Sequence, residues 1–184
     1  MKKLLLAAVL VAGVSTAMTS LPSQQLEASA KTYDMSPAFA KALKKGTMPR
    51  LNGKVGMKYK TLKQKEPKGH AFISDRFNFY ELNDQSQSRD LYGFKDYEKI
   101  APSHKVTIIM RTYDYLISSS SVEKHFGKPY KAIDMDNKKV NSYVYKAGKY
   151  YVLVLPDKKL NSTDVYVGTK FAILNSMLYK KIYR

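Results

Sequence analysis

The 184-residue sequence has no cysteine and no tryptophan, and it has few acidic residues compared with basic ones. The absence of cysteine excludes a disulfide scaffold, a cysteine-ligated zinc or iron–sulfur site, a cysteine nucleophile and a lipoprotein anchor. Lys and Arg total 32 against 15 Asp and Glu, which gives a formal charge of +17. Hydrophobic residues make up 44% of the chain, too many for a disordered protein. We therefore expect a folded and strongly basic protein.

Long apolar runs are also missing. The longest run, residues 4–14, is well short of the roughly 20 residues that a spanning helix needs. Lys2 and Lys3 precede it, and the small-x-small pattern of Ala28, Ser29 and Ala30 follows. These features predict a signal peptide over residues 1–30, with an uncleaved anchor as the alternative. The leader favours a Gram-positive bacterium and a secreted, extracellular protein that its charge can retain on the cell surface.

Residues 31–184 are predicted to form a single α+β domain with no transmembrane segment. Without the leader, the chain has 30 basic and 14 acidic residues, a charge of about +16. Ser36 and Pro37 before an apolar stripe, with Gly46 after it, predict an N-capped helix. The order of elements indicates a small antiparallel sheet with short helices on one face. A looser echo of this order in the first half leaves open two degenerate helix–sheet repeats.

The remaining elements follow from turn residues and apolar patterning. Residues 146–149 join two β-rich runs and predict a hairpin. Apolar side chains at helical spacing predict an amphipathic helix within 171–184 that packs on the sheet, with membrane binding as the alternative. The other predictions are a helical turn at 59–65, strand material within 72–82, a loop at 83–90, strands at 105–116, 140–145, 150–155 and 163–167, and a helix at 122–126.

The histidines do not form a catalytic or metal-binding pattern. His70, His104 and His125 lie in different segments, and no two of them have metal-ligand spacing. Glu123 and His125 could pair for acid–base cleavage of RNA, but residues two apart on a helix point in different directions. Surface histidines are the simpler interpretation.

Other motifs that resemble known sites are incomplete. The Asp134–Asn137 segment begins like a calcium loop but lacks the glycine and the closing glutamate of that loop. The Gly53–Gly56 segment is neither a P-loop nor a dinucleotide fingerprint, and Ser118–Ser121 has no nucleophile-elbow glycines. We therefore expect no catalytic residues, no metal and no cofactor.

Lysines recur beside tyrosines along the chain. Ammonium groups neutralise phosphates and release counterions, and tyrosine rings can stack on unpaired bases. Only five arginines are present, which disfavours bidentate reading of bases and predicts non-specific binding. Tyrosine is also an ordinary strand residue, and lysine-rich surfaces are common, so the pattern has a purely structural alternative. The predicted polyanion-binding residues are Lys58, Tyr59, Lys60, Lys128, Tyr130, Lys131, Lys146, Lys149 and Tyr150.

One stretch resembles a known family. The stretch comprises Ile117-Ser118-x-x-x-Val122-Glu123-Lys124-x-Phe126-Gly127-Lys128, then Tyr143-Val144-Tyr145, the strand from Tyr150 to Leu155, and Val165-Tyr166-Val167-Gly168. It resembles the C-terminal half of the immunodominant staphylococcal antigen B family over about fifty residues. The resemblance implies a secreted, surface-associated antigen that binds extracellular nucleic acid without catalysis. The order of helix, Gly-Lys-Pro and hairpin is also similar to small modules of β-lactamase-inhibitor-like secreted proteins.

Two hypotheses about function follow from the sequence. The first is a secreted, non-enzymatic protein or virulence-associated antigen that binds extracellular DNA, RNA or another polyanion. Teichoic acid and host glycosaminoglycans present the same repeated negative charge and remain open as ligands. The second is an inhibitor-like module that binds a host or bacterial protein through the concave face of its sheet. A small hydrolase has no motif in its favour.

Overall fold

The computed structural model describes residues 32–73, 77–82, 89–95, 99–134, 139–176 and 179–183, and within 131–143 and 176–183 it describes the backbone alone. The predicted leader lies outside the described residues. The helices are α1 (Pro37–Lys44), α2 (Tyr59–Lys65), α3 (Ser119–Phe126) and α4 (Lys170–Ser176). The strands are β1 (Thr32–Tyr33), β2 (His70–Ile73), β3 (Phe77–Leu82), β4 (Asp90–Lys95), β5 (Val106–Tyr113), β6 (Leu116–Ile117), β7 (Tyr130–Asp134), β8 (Lys139–Ala147), β9 (Tyr150–Asp157), β10 (Ser162–Gly168) and β11 (Tyr179–Tyr183).

Local capping chemistry sets the bounds of α1 and α3. The Ser36 hydroxyl accepts a hydrogen bond from the Phe39 N–H at 3.2 Å, and Pro37 takes the first helical position. Gly46 follows α1 with a φ of 70°, the left-handed backbone that glycine favours after a helix. Ser118 caps α3 in the same way through the Ser121 N–H. Both predicted helices are confirmed.

The described strands form one nine-stranded sheet and one short parallel pair. The order in the large sheet is β11-β7-β8-β9-β10-β5-β4-β3-β2, with antiparallel pairing throughout, while β1 pairs parallel with β6. Each half of the chain runs as a short strand, a helical segment (α1 and α2 in the first half, α3 in the second) and four antiparallel strands, and the fourth strands, β5 and β10, join the halves. The α+β class with an antiparallel sheet is confirmed, and the topology repeats.

Helices cover both faces of the sheet. The alternation of β9 places Val152 and Val154 on the face that α1, α2 and α3 cover, together with Leu43, Leu62 and Val122 from those helices. Leu153 points to the other face, where Ala172 and Ile173 of α4 pack against it. Three helices therefore share one face as predicted, and α4 departs from that prediction.

The predictions missed several strands, among them β1, β4 and β7, and extended the last helix too far. Gly93 lies inside β4, where a Cβ would come within 2.4 Å of the Ile108 side chain, so the close approach to β5 explains a glycine in a buried strand. Strand β7 also went unpredicted, and the predicted loop at 83–90 lies mostly outside the described residues. The predicted helix over 171–184 is wrong at Tyr179–Tyr183, because β11 pairs with β7 there.

Candidate polyanion-binding surface

The turn between β8 and β9 lies at one end of the large sheet, which we call the hairpin end. Gly168, the last residue of β10, pairs with Tyr151 on one side and with Ile108 on the other. The start of β9, the end of β10 and the start of β5 therefore lie side by side. The hairpin is tight, and Gly148 has a φ of 65°.

The C-terminal ends of α1 and α3 also reach the hairpin end. Gly46 lies against the Tyr150 ring so closely that a Cβ would come within 2.5 Å of it. A Cβ on Gly148 would lie 3.6 Å from the Lys44 carbonyl oxygen. The Lys44 ammonium lies 5.4 Å from the centroid of the Phe126 ring at the end of α3. Two helix ends and one hairpin therefore meet at this point.

Exposed lysines occupy all three of these segments. Lysines near a helix C-terminus interact favourably with the helix dipole, which accounts for part of this placement. Glu123 is the only carboxylate in these segments, and the three ion pairs among the described residues use arginine or histidine rather than lysine. We call the set the hairpin-end lysines: Lys44, Lys45, Lys124, Lys128, Lys146 and Lys149.

A second group of lysines adjoins the first. The Val55 N–H donates to the Gly46 carbonyl at 2.8 Å, which ties the segment after Lys54 to the end of α1. Lys58 and Lys105 form an antiparallel bridge, held by the hydrogen bond from the Val106 N–H to the Met57 carbonyl at 2.9 Å. Like charges directly opposite each other destabilise a β pairing. The exposed members of this group, the bridge lysines, are Lys54, Lys58, Lys60 and Lys105.

The tyrosines chosen from the sequence pack against other parts of the protein, which leaves little of their rings for base stacking. Tyr150 is only 8% exposed. Tyr59 is half-buried and lies edge-on to Tyr80 and Phe94, with ring centroids 5.5 and 5.4 Å away, and burial raises its pKa. Tyr130 is half-buried and packs edge-on against Tyr151. These rings lie between strands and their covering elements, so they stabilise the fold.

The structure brings most of the predicted lysines together and adds others. Lys128, Lys146 and Lys149 belong to the hairpin-end lysines, and Lys58 and Lys60 to the bridge lysines. The side chain of Lys131 lies outside the described residues. Sequence reasoning missed the other five members of the two groups: Lys44, Lys45, Lys54, Lys105 and Lys124. The lysine pair directly before Gly46, at a helix C-terminus, is the local signal that could have identified two of them.

Two carboxylates lie at the opposite end of the sheet from the lysines, so positive and negative charge are separated along the strands. Asp157 is the last residue of β9, and its Oδ1 accepts hydrogen bonds from the Lys159 and Leu160 N–H groups of the following turn. Asp164 accepts from the Thr112 hydroxyl at 2.7 Å near the far end of β5. The negative charges of these residues therefore lie several strand positions away from the hairpin end. They compensate the positive charge of the hairpin-end lysines only weakly.

The histidines and the serine run have structural partners. The His125 Nε2 lies 2.9 Å from the Met35 carbonyl oxygen, and the His104 Nδ1 accepts from the Ala101 N–H. The Ser121 hydroxyl donates to the Ser118 carbonyl and accepts from the Met35 N–H. In the described part of the chain, no three His, Asp or Glu side chains are grouped to hold a metal ion.

Comparisons with known proteins give no relative. No protein-family model matches the chain, and no curated protein and no solved structure matches it. Among the described residues, the helices are too short or too polar to cross a membrane.

Proposed function

We propose that this protein is a secreted, non-enzymatic binding protein for polyanions, with extracellular DNA or RNA as the leading ligand. The observation that supports the proposal is the gathering of ten exposed lysines, the six hairpin-end lysines and the four adjoining bridge lysines, from separate described segments in which Glu123 is the one carboxylate. Concentrated positive charge that takes part in none of the ion pairs of the described residues raises the free energy of the free protein. A phosphate chain lowers it by neutralising the lysines and releasing condensed counterions.

The chemistry of this surface favours contact with the phosphate backbone over contact with bases. Lysine ammonium groups act as point charges, whereas arginine provides the fork that reads base edges. The nearby rings of Tyr59, Tyr130 and Tyr150 are half-buried or buried, so stacking adds little. We therefore expect affinity to follow the charge density of the ligand, with duplex DNA and heparin bound at least as tightly as single-stranded DNA.

A fluorescence-anisotropy titration of duplex DNA across about 50–200 mM salt tests the proposal. The informative variant is Lys128→Gln, Lys146→Gln and Lys149→Gln. Each lost phosphate contact lowers the slope of log affinity against log salt by about 0.9, so the triple variant should lose roughly 2.7. The matched control carries Lys65→Gln, Lys158→Gln and Lys159→Gln, three exposed lysines outside both groups. The control has the same net charge and should keep most of the slope.

Equal losses in the two triple variants would mean that total charge, and not the hairpin end, determines binding. Absence of binding at either salt concentration would overturn the proposal and direct the search to protein partners. The inhibitor-like alternative has no specific support among the described residues, because α1 to α3 cover one face of the sheet and α4 packs on the other.

A further inference from the structure

A cleft of about 280 Å³ opens on the face of the sheet that carries α1 to α3. It lies near the far end of β5, away from the hairpin end, at the position where Arg111 pairs with Asp90 of β4. Its rim comes from the turn after Pro49 and from the residues that follow α2. Its apolar walls are Leu51, Pro67 and Leu82.

The carboxylates of the cleft are already bound by protein donors. Asp90 is 2% exposed, and its two oxygens accept from the Arg111 Nε and Nη2 at 2.6 and 2.5 Å. The Glu66 Oε1 accepts from the Asn52 N–H at 2.9 Å, and the Tyr92 hydroxyl lies 3.4 Å away. Asp90 is therefore neutralised by Arg111, whereas the partners of Glu66 are uncharged and its negative charge offsets only part of the positive charge of the rim.

The cations on the rim have no such partners among the described residues. Arg50 and Lys68 are exposed and take part in none of the ion pairs found there. Arg111 adds a third positive charge at the base of the cleft, although Asp90 compensates it. The uncompensated charge of the cleft is therefore positive, and it stands beside an apolar wall.

The backbone at Arg50 is held in a costly conformation. Its φ of 66° is in the left-handed region, which L-residues other than glycine and asparagine rarely adopt. The Arg111 Nη1 donates to the Pro49 carbonyl at 2.7 Å and fixes the chain directly before this residue. Strain of this kind persists where the surrounding structure enforces it, and it concentrates at ligand-binding sites.

We propose that this cleft is a second binding site, which takes a compact oxyanion, carboxylate or phosphate, on an apolar or planar body. Arg50 and Lys68 supply the charge-assisted hydrogen bonds that hold the oxyanion. The body lies against Leu51, Pro67 and Leu82. The site is independent of the hairpin-end lysines, because it uses other residues at the other end of β5.

NMR titrations of the purified protein test the proposal with three probes: inorganic phosphate, benzoate and thymidine 5′-monophosphate. We expect saturable shifts at the amides of residues 50–52 and 66–69, and tighter binding of benzoate or the nucleotide than of inorganic phosphate. Tighter binding of benzoate than of the nucleotide indicates a carboxylate ligand, and the reverse order indicates a phosphate ligand. Arg50→Gly should weaken binding about tenfold or more, because it removes a charged donor. The same change relieves the left-handed backbone, so the melting temperature should not fall.

The triple variant Lys128→Gln, Lys146→Gln, Lys149→Gln is the control, and it should leave the shifts unchanged even where DNA binding is lost. The proposal is overturned if none of the three probes gives saturable shifts in these segments. It is also overturned if Arg50→Gly binds as tightly as the parent protein, or if the lysine variant loses the probes. Failure of DNA binding has no bearing on these outcomes.

Discussion

Arg111 and Asp90 stand directly opposite each other on β5 and β4, and they form a two-pronged ion pair. The Nε–Oδ1 and Nη2–Oδ2 distances are 2.6 and 2.5 Å, and the side chains are 12% and 2% exposed. Burial by itself lowers the pKa of Arg111, but the hydrogen bonds and the charge of Asp90 outweigh that effect and raise it. A third bond, from the Nη1 to the Pro49 carbonyl, couples the two strands to the rim of the cleft.

Asp90→Asn should destabilise the protein strongly, because it leaves the guanidinium of Arg111 buried without its counter-charge. Loss of one partner of a buried ion pair costs about 3–5 kcal/mol. Urea denaturation measures the change in the free energy of unfolding. Arg89→Gln is the control, since Arg89 is 59% exposed in its pair with Glu81 and such pairs contribute about 0–1 kcal/mol. A cost below about 1 kcal/mol for Asp90→Asn would contradict the conclusion that Arg111 depends on Asp90 as its buried counter-charge.

Arg50→Gly should stabilise the fold. A left-handed backbone costs an ordinary residue about 1–2 kcal/mol, and the greater freedom of glycine in the unfolded chain returns part of that gain. We expect a net increase of about 0.5–1 kcal/mol in the free energy of unfolding. Asn161 has a φ of 49°, and asparagine tolerates this region, so Asn161→Gly should gain less. A lower melting temperature for Arg50→Gly would show that its side chain stabilises the fold.

Gly46→Ala should damage the hairpin end more than Gly56→Ala. Both glycines have positive φ, 70° and 90°, so both substitutions carry the left-handed cost of about 1–2 kcal/mol. A Cβ at Gly46 also meets the Tyr150 ring at 2.5 Å, whereas a Cβ at Gly56 has no atom within 4 Å. The clash should add about 1–3 kcal/mol. Similar unfolding midpoints for the two variants would mean that the ring moves aside freely.

Stability should fall at alkaline pH. Burial raises the pKa of both Tyr92 and Tyr113 far above the ordinary tyrosine value of 10.0. A group whose pKa is raised in the folded state contributes stability that is complete below its unfolded pKa and is lost as pH rises above it. These two tyrosines should therefore leave the free energy of unfolding unchanged up to about pH 9 and lower it above about pH 10.

Denaturation series at several pH values measure this decline in the parent protein and in Tyr113→Phe. The variant removes one of the two buried phenols, so its alkaline slope should be shallower. Tyr33→Phe is the control, because the Tyr33 side chain is 42% exposed. If Tyr113→Phe keeps the full slope, the buried phenols are not responsible for it.

Elements defined by short-range signals could be predicted from the sequence, and those that depend on distant contacts could not. Ser36, Pro37 and Gly46 specify α1 within a single segment, and the 146–149 turn specifies a hairpin. Strand β4 is different, because Gly93 weakens it locally and its contact with Ile108 restores it. At the end of the chain, helical spacing suggested one long helix, but Tyr179–Tyr183 pairs with β7 instead.

In the candidate surface too, features that depend on local sequence could be predicted, and features that depend on distant contacts could not. Lysines are exposed almost wherever they occur, so Lys128, Lys146 and Lys149 could be chosen from the sequence. Whether a tyrosine on a strand faces solvent depends on which elements cover that face. Tyr150 is buried because the end of α1 lies on it, and no pattern near residue 150 records that contact.

The joining of the two halves has a consequence for how the chain folds. Thr32 pairs with Leu116, and Gly168 pairs with Ile108, so the contacts that close the structure link residues far apart in the sequence. The principal core likewise contains side chains from both halves, among them Leu43 and Val152. Loops this long must close before their contacts stabilise anything, which slows folding. An emerging N-terminal half therefore has no complete core of its own until the second half of the chain arrives.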